Sequence, residues 1–196
     1  MTITAKEIAE LRAKTGLPMM EVKGALIEAK GNEEEAIQIL RKKGLSKVAK
    51  RAERETKSGL IESYVHDGKI GVLVEVLTET DFVAKNSEFK EFVHDIALHI
   101  AATSPKYLSR EDIPAAELDK EKQILMAEAK ATGKPEEIAK KIVEGKLNNF
   151  YADVCLLDQL FIKDQDQKIA DKLTDLVSKI GEKIVISRFC RFELGK

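Results

Sequence analysis

The sequence predicts an α+β protein: a small antiparallel sheet with helices packed on one face, preceded by a three-helix bundle. Three observations carry this. A hairpin pattern of apolar residues occupies positions 60–77, a β-rich run closes the chain at 184–192, and the stretches before and between them follow helical periodicity. Strands at both ends of a helical stretch imply one sheet with the helices on one side.

The first 45 residues read as three short helices. Thr4 caps a segment with Ile8 and Leu11 that stops at Thr15-Gly16. Pro18, suited to a first turn, opens a second with Val22, Leu26 and Ala29, closed by Gly31. Asn32, followed by Glu33, Glu34 and Glu35 at the positive end, starts a third that carries Ala36, Ile37 and Leu40 and ends at Gly44. Helices this short are unstable singly and should share one core, so 1–45 is assigned as a bundle. Residues 46–57 are a basic linker, and 58–196 an α+β core.

Within the core, Leu60 to Val65 reads as a strand, His66 to Lys69 as a turn with Asp67-Gly68 at its tip, and Ile70 to Leu77 as the returning strand. A helix over 87–103, capped by Asn86 or Ser87, places Phe89, Val93, Ile96 and Ile100 on one face and breaks at Ser104-Pro105. Helices follow over 115–131, ending near Gly133, and over 135–147, with Pro135 in the first turn beside Glu136-Glu137. Another spans 166–181 with Ile169, Leu173, Leu176, Val177 and Ile180. The closing strand Ile184 to Phe192 pairs with the hairpin.

Hydrophobic residues at 43% and charged residues at 34% allow a packed core and argue against disorder. With 33 basic against 34 acidic residues the net charge is −1, which argues against a dedicated nucleic-acid binder. Cys155 and Cys190 form no CxxC and no disulfide framework, so a reducing cytoplasm is expected. The first residues lack the apolar core of a signal peptide, and no apolar run approaches the ~20 residues that cross a bilayer.

Catalytic and cofactor motifs are absent from the sequence. There is no GxxxxGK[ST] or GxGxxG, hence no nucleotide site of the chain's own. His94 and His99 lie five apart, about 140° around a helix. With no HExxH and no cysteine cluster, they offer no zinc set. No serine or cysteine sits in a nucleophile motif. No metal, no cofactor and no enzyme activity are expected.

The most informative stretch runs from Thr78 to Asn86, where a strand hands over to a helix and sets Asp81 beside Phe82. The residues alone leave two arrangements open: Phe82 in the core with Asp81 an ordinary turn residue, or both presented to a partner. The 41–57 stretch has eight basic and two acidic side chains. It reads as a solvated linker helix or as a footprint for an acidic partner or RNA. No interleaved aromatic stacks on bases, which favours the former.

The run Thr80-Asp81-Phe82-Val83-Ala84-Lys85-Asn86 after an apolar strand resembles the core motif of bacterial elongation factor Ts, the nucleotide exchange factor for elongation factor Tu. Arg12 to Met20 followed by Val22-Lys23-Gly24-Ala25-Leu26 is similar to that family's N-terminal signature, and the size and turns of 1–45 resemble the ubiquitin-associated-like three-helix bundle with which the family begins. Gly133 to Ala139 with Val143 to Leu147 resembles a second signature, and Arg188 to Gly195 a third. Together they span nearly the whole chain. Two features depart from the family pattern: Leu17-Pro18 stands where small residues are usual, and Leu160 where proline is usual.

The resemblance implies a factor that binds elongation factor Tu in its GDP-bound and nucleotide-free states. Phe82 would wedge into an apolar slot of the partner's guanine-nucleotide domain, while Asp81 disturbs contacts beside its magnesium and Thr80 and Val83 fix the turn. Met19, Met20 and Lys23 would dock on a helix of that domain, and His66 on another domain. The chain has room for one of the family's two core halves, as in its short form. The uncovered sheet surface is then expected to pair two copies, with Cys190 a possible contact across the two-fold axis. No membrane and no direct nucleic-acid partner are expected. Two other readings stay open: an adaptor acting through the N-terminal bundle, and an RNA-associated protein using the basic linker.

Overall fold

The computed structural model describes residues 3–131 and 135–196. Three helices come first: α1 (Ala5–Thr15), α2 (Met19–Glu28) and α3 (Glu33–Arg51). The hairpin β1 (Ser58–His66) and β2 (Ile70–Thr78) leads into a one-turn helix α4 (Asp81–Ala84) and the long α5 (Ser87–Thr103). Then come α6 (Ala115–Ala131), α7 (Glu136–Val154), β3 (Leu160–Phe161), β4 (Asp164–Lys168), α8 (Ile169–Ile180) and β5 (Ile184–Glu193). The sheet order is β1-β2-β5, so the closing strand lies beside the hairpin as expected, and the protein is α+β.

Local chemistry explains several boundaries. Thr4 and Glu7 form a reciprocal capping box at the start of α1, with the Thr4 N–H donating to the Glu7 carboxylate at 2.7 Å. Asn32 Oδ1 accepts from the Glu35 N–H at the start of α3, and Asn86 Oδ1 from the Glu88 N–H at the start of α5. At the hairpin tip Asp67 and Gly68 both take positive φ, 50° and 66°, the geometry that matches the strand twist.

Several sequence expectations are corrected. Helix α3 does not end at Gly44 but runs through it to Arg51. Helix α7 continues past Leu147 to Val154, because Phe150, Tyr151 and Val154 pack with Ile113 and Cys155 and override the poor helix formers Asn148-Asn149. The helix assigned to 166–181 begins at Ile169, and residues 164–168 instead pair as β4 with β3. Gly133 and Lys134, assigned to the end of one helix and the second family signature, lie outside the described residues.

The chain divides into two compact units, Met1–Leu60 with Glu75–Phe92 and Asp171–Ser187, and Ile61–Val74 with Val93–Ala170 and Arg188–Lys196. In the first, Leu11, Val22, Ala25, Leu26, Ala36 and Leu40 form the core shared by α1, α2 and α3. Beyond that core α3 lies against α8. A Cβ placed on Gly44 would stand 2.8 Å from Ser178 Oγ and 3.4 Å from Thr174 Cγ2. Gly44 is therefore a close-approach residue, and the Ser178 hydroxyl beside it has no hydrogen-bond partner. Gly44→Ala gains ~1 kcal/mol of helix propensity but overpacks the contact at a cost of ~1–3 kcal/mol, a net loss of up to ~2 kcal/mol. Adding Ser178→Ala should restore stability. Urea unfolding of the two single variants and the double variant checks this; a more stable Gly44→Ala protein would contradict it.

In the second unit a buried histidine ties the β3-β4 hairpin to α5. His99 Nε2 lies 3.0 Å from Gln159 Oε1, and the Gln159 amide is oriented by donating to the Asp153 carbonyl at 2.9 Å. Nε2 must then carry the proton, which leaves Nδ1 to accept from the Ile162 N–H at 3.3 Å. Burial lowers the His99 pKa, against the Gln159 hydrogen bond that favours the charged ring. The unfolded chain titrates near ~6.5 and so binds the proton more readily than the fold does. The stabilising effect is complete above that pH and is lost as the pH falls through the lower folded value. The urea midpoint should fall between about pH 7.5 and 5.5, and His99→Asn should flatten that fall while lowering the midpoint at the upper pH. Equal slopes for the two proteins would remove His99 as the cause.

Candidate functional site

Strand β2 is buried on alternate positions, Val72, Val74, Val76 and Thr78, so its register carries Thr78 fully inside. The chain then turns out into α4. Thr80 is the extended N-cap residue, and two backbone bonds, Ala84 N–H to Thr80 O and Lys85 N–H to Asp81 O, close the single turn. Val83 points inward and is 9% exposed. Phe82, its neighbour, is 89% exposed, and Asp81 is exposed beside it. An aromatic ring this uncovered forgoes ~2–3 kcal/mol of burial within its own fold. Of the two arrangements the sequence left open for Phe82, the structure has the outward one.

So short a helix cannot hold its own shape, and two acid side chains fix its base. The Glu182 carboxylate accepts from the Thr78 hydroxyl and the Thr80 N–H through one oxygen, each at 3.0 Å, and from the Thr80 hydroxyl through the other at 2.7 Å. Glu79 reaches in the opposite direction, accepting from the Lys183 N–H at 2.6 Å and from Arg54 at 3.1–3.2 Å. Burial pushes the Glu79 carboxyl upward, but the Lys183 N–H and Arg54 outweigh it and hold it below the usual range. Lys183 Nζ in turn donates to the Ala52 and Arg54 carbonyls at the end of α3. Thr80 is itself exposed, and its N–H and hydroxyl are both engaged by Glu182. Glu182, Lys183, Glu79 and Arg54 were not among the sequence-derived site residues. The Gly181-Glu182-Lys183 break before the closing strand was the available hint.

On α2, Met19 (53% exposed), Met20 (73%) and Lys23 share one exposed face, as their three- and four-residue spacing requires. Ile27, four beyond Lys23 and also exposed, extends the stripe and was missed. Beside it a cleft of ≈ 360 Å³ is lined by Met20, Glu21, Gly24, Lys43, Ser46, Lys47 and Lys50. Three of the eight basic side chains of the 41–57 run pair with acids outside it: Lys43 with Glu28 at 2.7 Å, Lys47 with Glu21, and Arg54 with Glu79.

His66 and Cys190 belong to the second unit. His66 ends β1, its Nδ1 3.1 Å from the Tyr64 hydroxyl. Cys190 is a free, exposed thiol on β5; Cys155 is buried, and that burial pushes its thiol up to about 11. Among the described residues, no group of three or more His, Cys, Asp or Glu side chains could hold a metal ion, and no helix is long and apolar enough to cross a membrane.

A sequence model of the family described as Elongation factor TS matches residues 2–196. The elongation factor Ts of Alkaliphilus oremlandii (strain OhILAs) is 55% identical over 196 residues, covering 100% of this chain and 91% of the relative. That of Fervidobacterium nodosum is 53% identical over 197 residues and covers 100% of both. The chain belongs to the elongation factor Ts family of translation elongation factors.

Proposed function

We propose that this protein is the guanine-nucleotide exchange factor for elongation factor Tu, acting through binding rather than through chemistry of its own. The carrying observation is Phe82, 89% exposed beside Asp81 on a turn whose base is fixed. Such a ring is stabilised only when another surface covers it. An exchange factor must bind the nucleotide-free partner more tightly than the GDP-bound one, and by linkage it weakens nucleotide binding by the same factor. Phe82 enters an apolar slot of the partner's nucleotide domain, and Asp81 redirects polar contacts beside the magnesium ion. Magnesium tolerates little departure from octahedral geometry, so a small shift loosens the ion and then the diphosphate. Met19, Met20 and Lys23 supply an adaptable apolar contact with a positive charge beside it, and His66 a further contact.

Burying one phenylalanine is worth ~2–3 kcal/mol, or roughly thirty- to a hundredfold in an equilibrium constant. Release of fluorescent GDP from elongation factor Tu should therefore accelerate with this protein at micromolar concentration, and Phe82→Ala should lose roughly that factor. Because the ring is exposed, the same substitution should leave the unfolding free energy of the free protein, read from urea titration, within ~0.5 kcal/mol of wild type. No acceleration by the wild-type protein rejects the reading.

The same proposal includes pairing of two cores. Ile61, Val65, Leu73, Phe192 and Leu194, all in the second unit, are exposed large apolar residues on or beside β1, β2 and β5, and Cys190 is exposed on β5. An apolar sheet surface of this kind is suited to a second copy of itself. Sedimentation at micromolar concentration should show a dimer for the wild type and a monomer for Val65→Lys combined with Leu73→Lys. A wild-type monomer across that range counts against pairing.

A further inference from the structure

We propose that Glu182 is the positioning residue of exchange: its carboxylate aims the Asp81-Phe82 turn by holding Thr78 and Thr80 together. This rests on the exchange reading above. The geometry singles Glu182 out. One oxygen receives the buried Thr78 hydroxyl at the end of β2 and the Thr80 N–H; the other receives the Thr80 hydroxyl at 2.7 Å. Three donors from a three-residue span therefore converge on a single carboxylate, and Thr80 is the residue that caps α4. Glu182 is itself held in place because the next residue is engaged twice, through its N–H to Glu79 and its Nζ to the end of α3. Val83 anchors the inward side of the turn, so Phe82 has one direction left.

A wedge is effective only if its contact is made without first ordering the loop that carries it. Ordering a flexible residue costs ~1–2 kcal/mol for the backbone alone, taken from the contact energy that must drive exchange. Loss of Glu182 should therefore lower the limiting rate of exchange more than it weakens docking through Met19, Met20 and Lys23.

Geometry and charge can be separated by substitution. In Glu182→Gln the amide oxygen can keep the Thr78 hydroxyl and Thr80 N–H, while its NH₂ donates to the Thr80 hydroxyl, so the clamp survives without the charge. Glu182→Asp keeps the charge but is one methylene too short to reach both threonines. The experiment is stopped-flow release of fluorescent GDP from elongation factor Tu over a range of factor concentrations, which separates the limiting rate from the half-saturating concentration. Amide exchange at Thr80 in the free protein is measured alongside. Expected are a limiting rate lowered about tenfold or more in Glu182→Ala and Glu182→Asp, with half-saturation moved by less than about threefold and Glu182→Gln close to wild type. The Thr80 amide should exchange roughly tenfold faster in the Ala and Asp proteins and stay protected in the Gln protein. A wild-type limiting rate in Glu182→Ala, or a Gln protein as impaired as Ala, overturns the proposal. So does a Thr80 amide equally protected in all four proteins, even if the wild-type protein fails to release GDP, in which case the exchange reading falls by itself. If Glu182→Ala does not fold, the Asp and Gln pair decides.

Discussion

An exposed side chain on a four-residue helix has to be held by neighbours that fix its backbone, and here that constraint falls on two carboxylates. Glu182 gathers Thr78 and Thr80, while Glu79 reaches back to the Lys183 N–H and Arg54. The two acids point in opposite directions from adjacent stretches of chain, so each braces the other's backbone. Without them the four residues of α4 would be far below the length at which a helix persists in water. With them Phe82 is held out at a surface where its own fold gives it nothing to touch.

The same brace reaches back into the N-terminal helices. Lys183 Nζ donates to the Ala52 carbonyl at the C-cap of α3, a group that a helix end leaves unpaired, and to the Arg54 carbonyl just beyond it. Further up the same helix, the missing side chain of Gly44 lets α8 approach, and α8 leads directly into Gly181 and Glu182. Helices α3 and α8, the exposed methionines of α2 and the Phe82 turn all lie in one compact unit. A small residue at one helix crossing thereby bears on the placement of a turn more than thirty residues further along the chain.

Much of this architecture was legible because it is written locally. Thr4, Asn32 with three glutamates, and Asp67-Gly68 each act on atoms within a few residues, and each did what its chemistry predicts. What was misread depends on distant partners. Gly44 looked like a stop signal because a glycine after a helical run usually is one, and only the surface of α8 makes it an interior residue. The β3-β4 hairpin was hidden because Asp164-Gln165-Asp166-Gln167-Lys168 has no apolar alternation, and its place is set instead by Gln159, Ile162 and the buried His99. The Asp81-Phe82 pair stood out in the sequence, whereas Glu182 did not. It bonds to residues 102 and 104 positions away, and a polar contact over that distance leaves no periodic trace.

This division has a physical consequence for how the proposed lever works. A residue that meets the partner must shed water and be covered on binding, so it can be recognised by being apolar and exposed. A residue that aims it is already fully engaged in the free protein; its effect is to remove conformations in which the ring points elsewhere. If the aimed conformation were populated only a tenth of the time, the apparent affinity of the wedge would fall tenfold, about 1.4 kcal/mol, although the bound complex itself stayed the same. That is of the same order as the ~2–3 kcal/mol obtained by burying the ring itself. On the proposed reading, then, three hydrogen bonds at Glu182 contribute to exchange on the same scale as the aromatic side chain they position, though somewhat less.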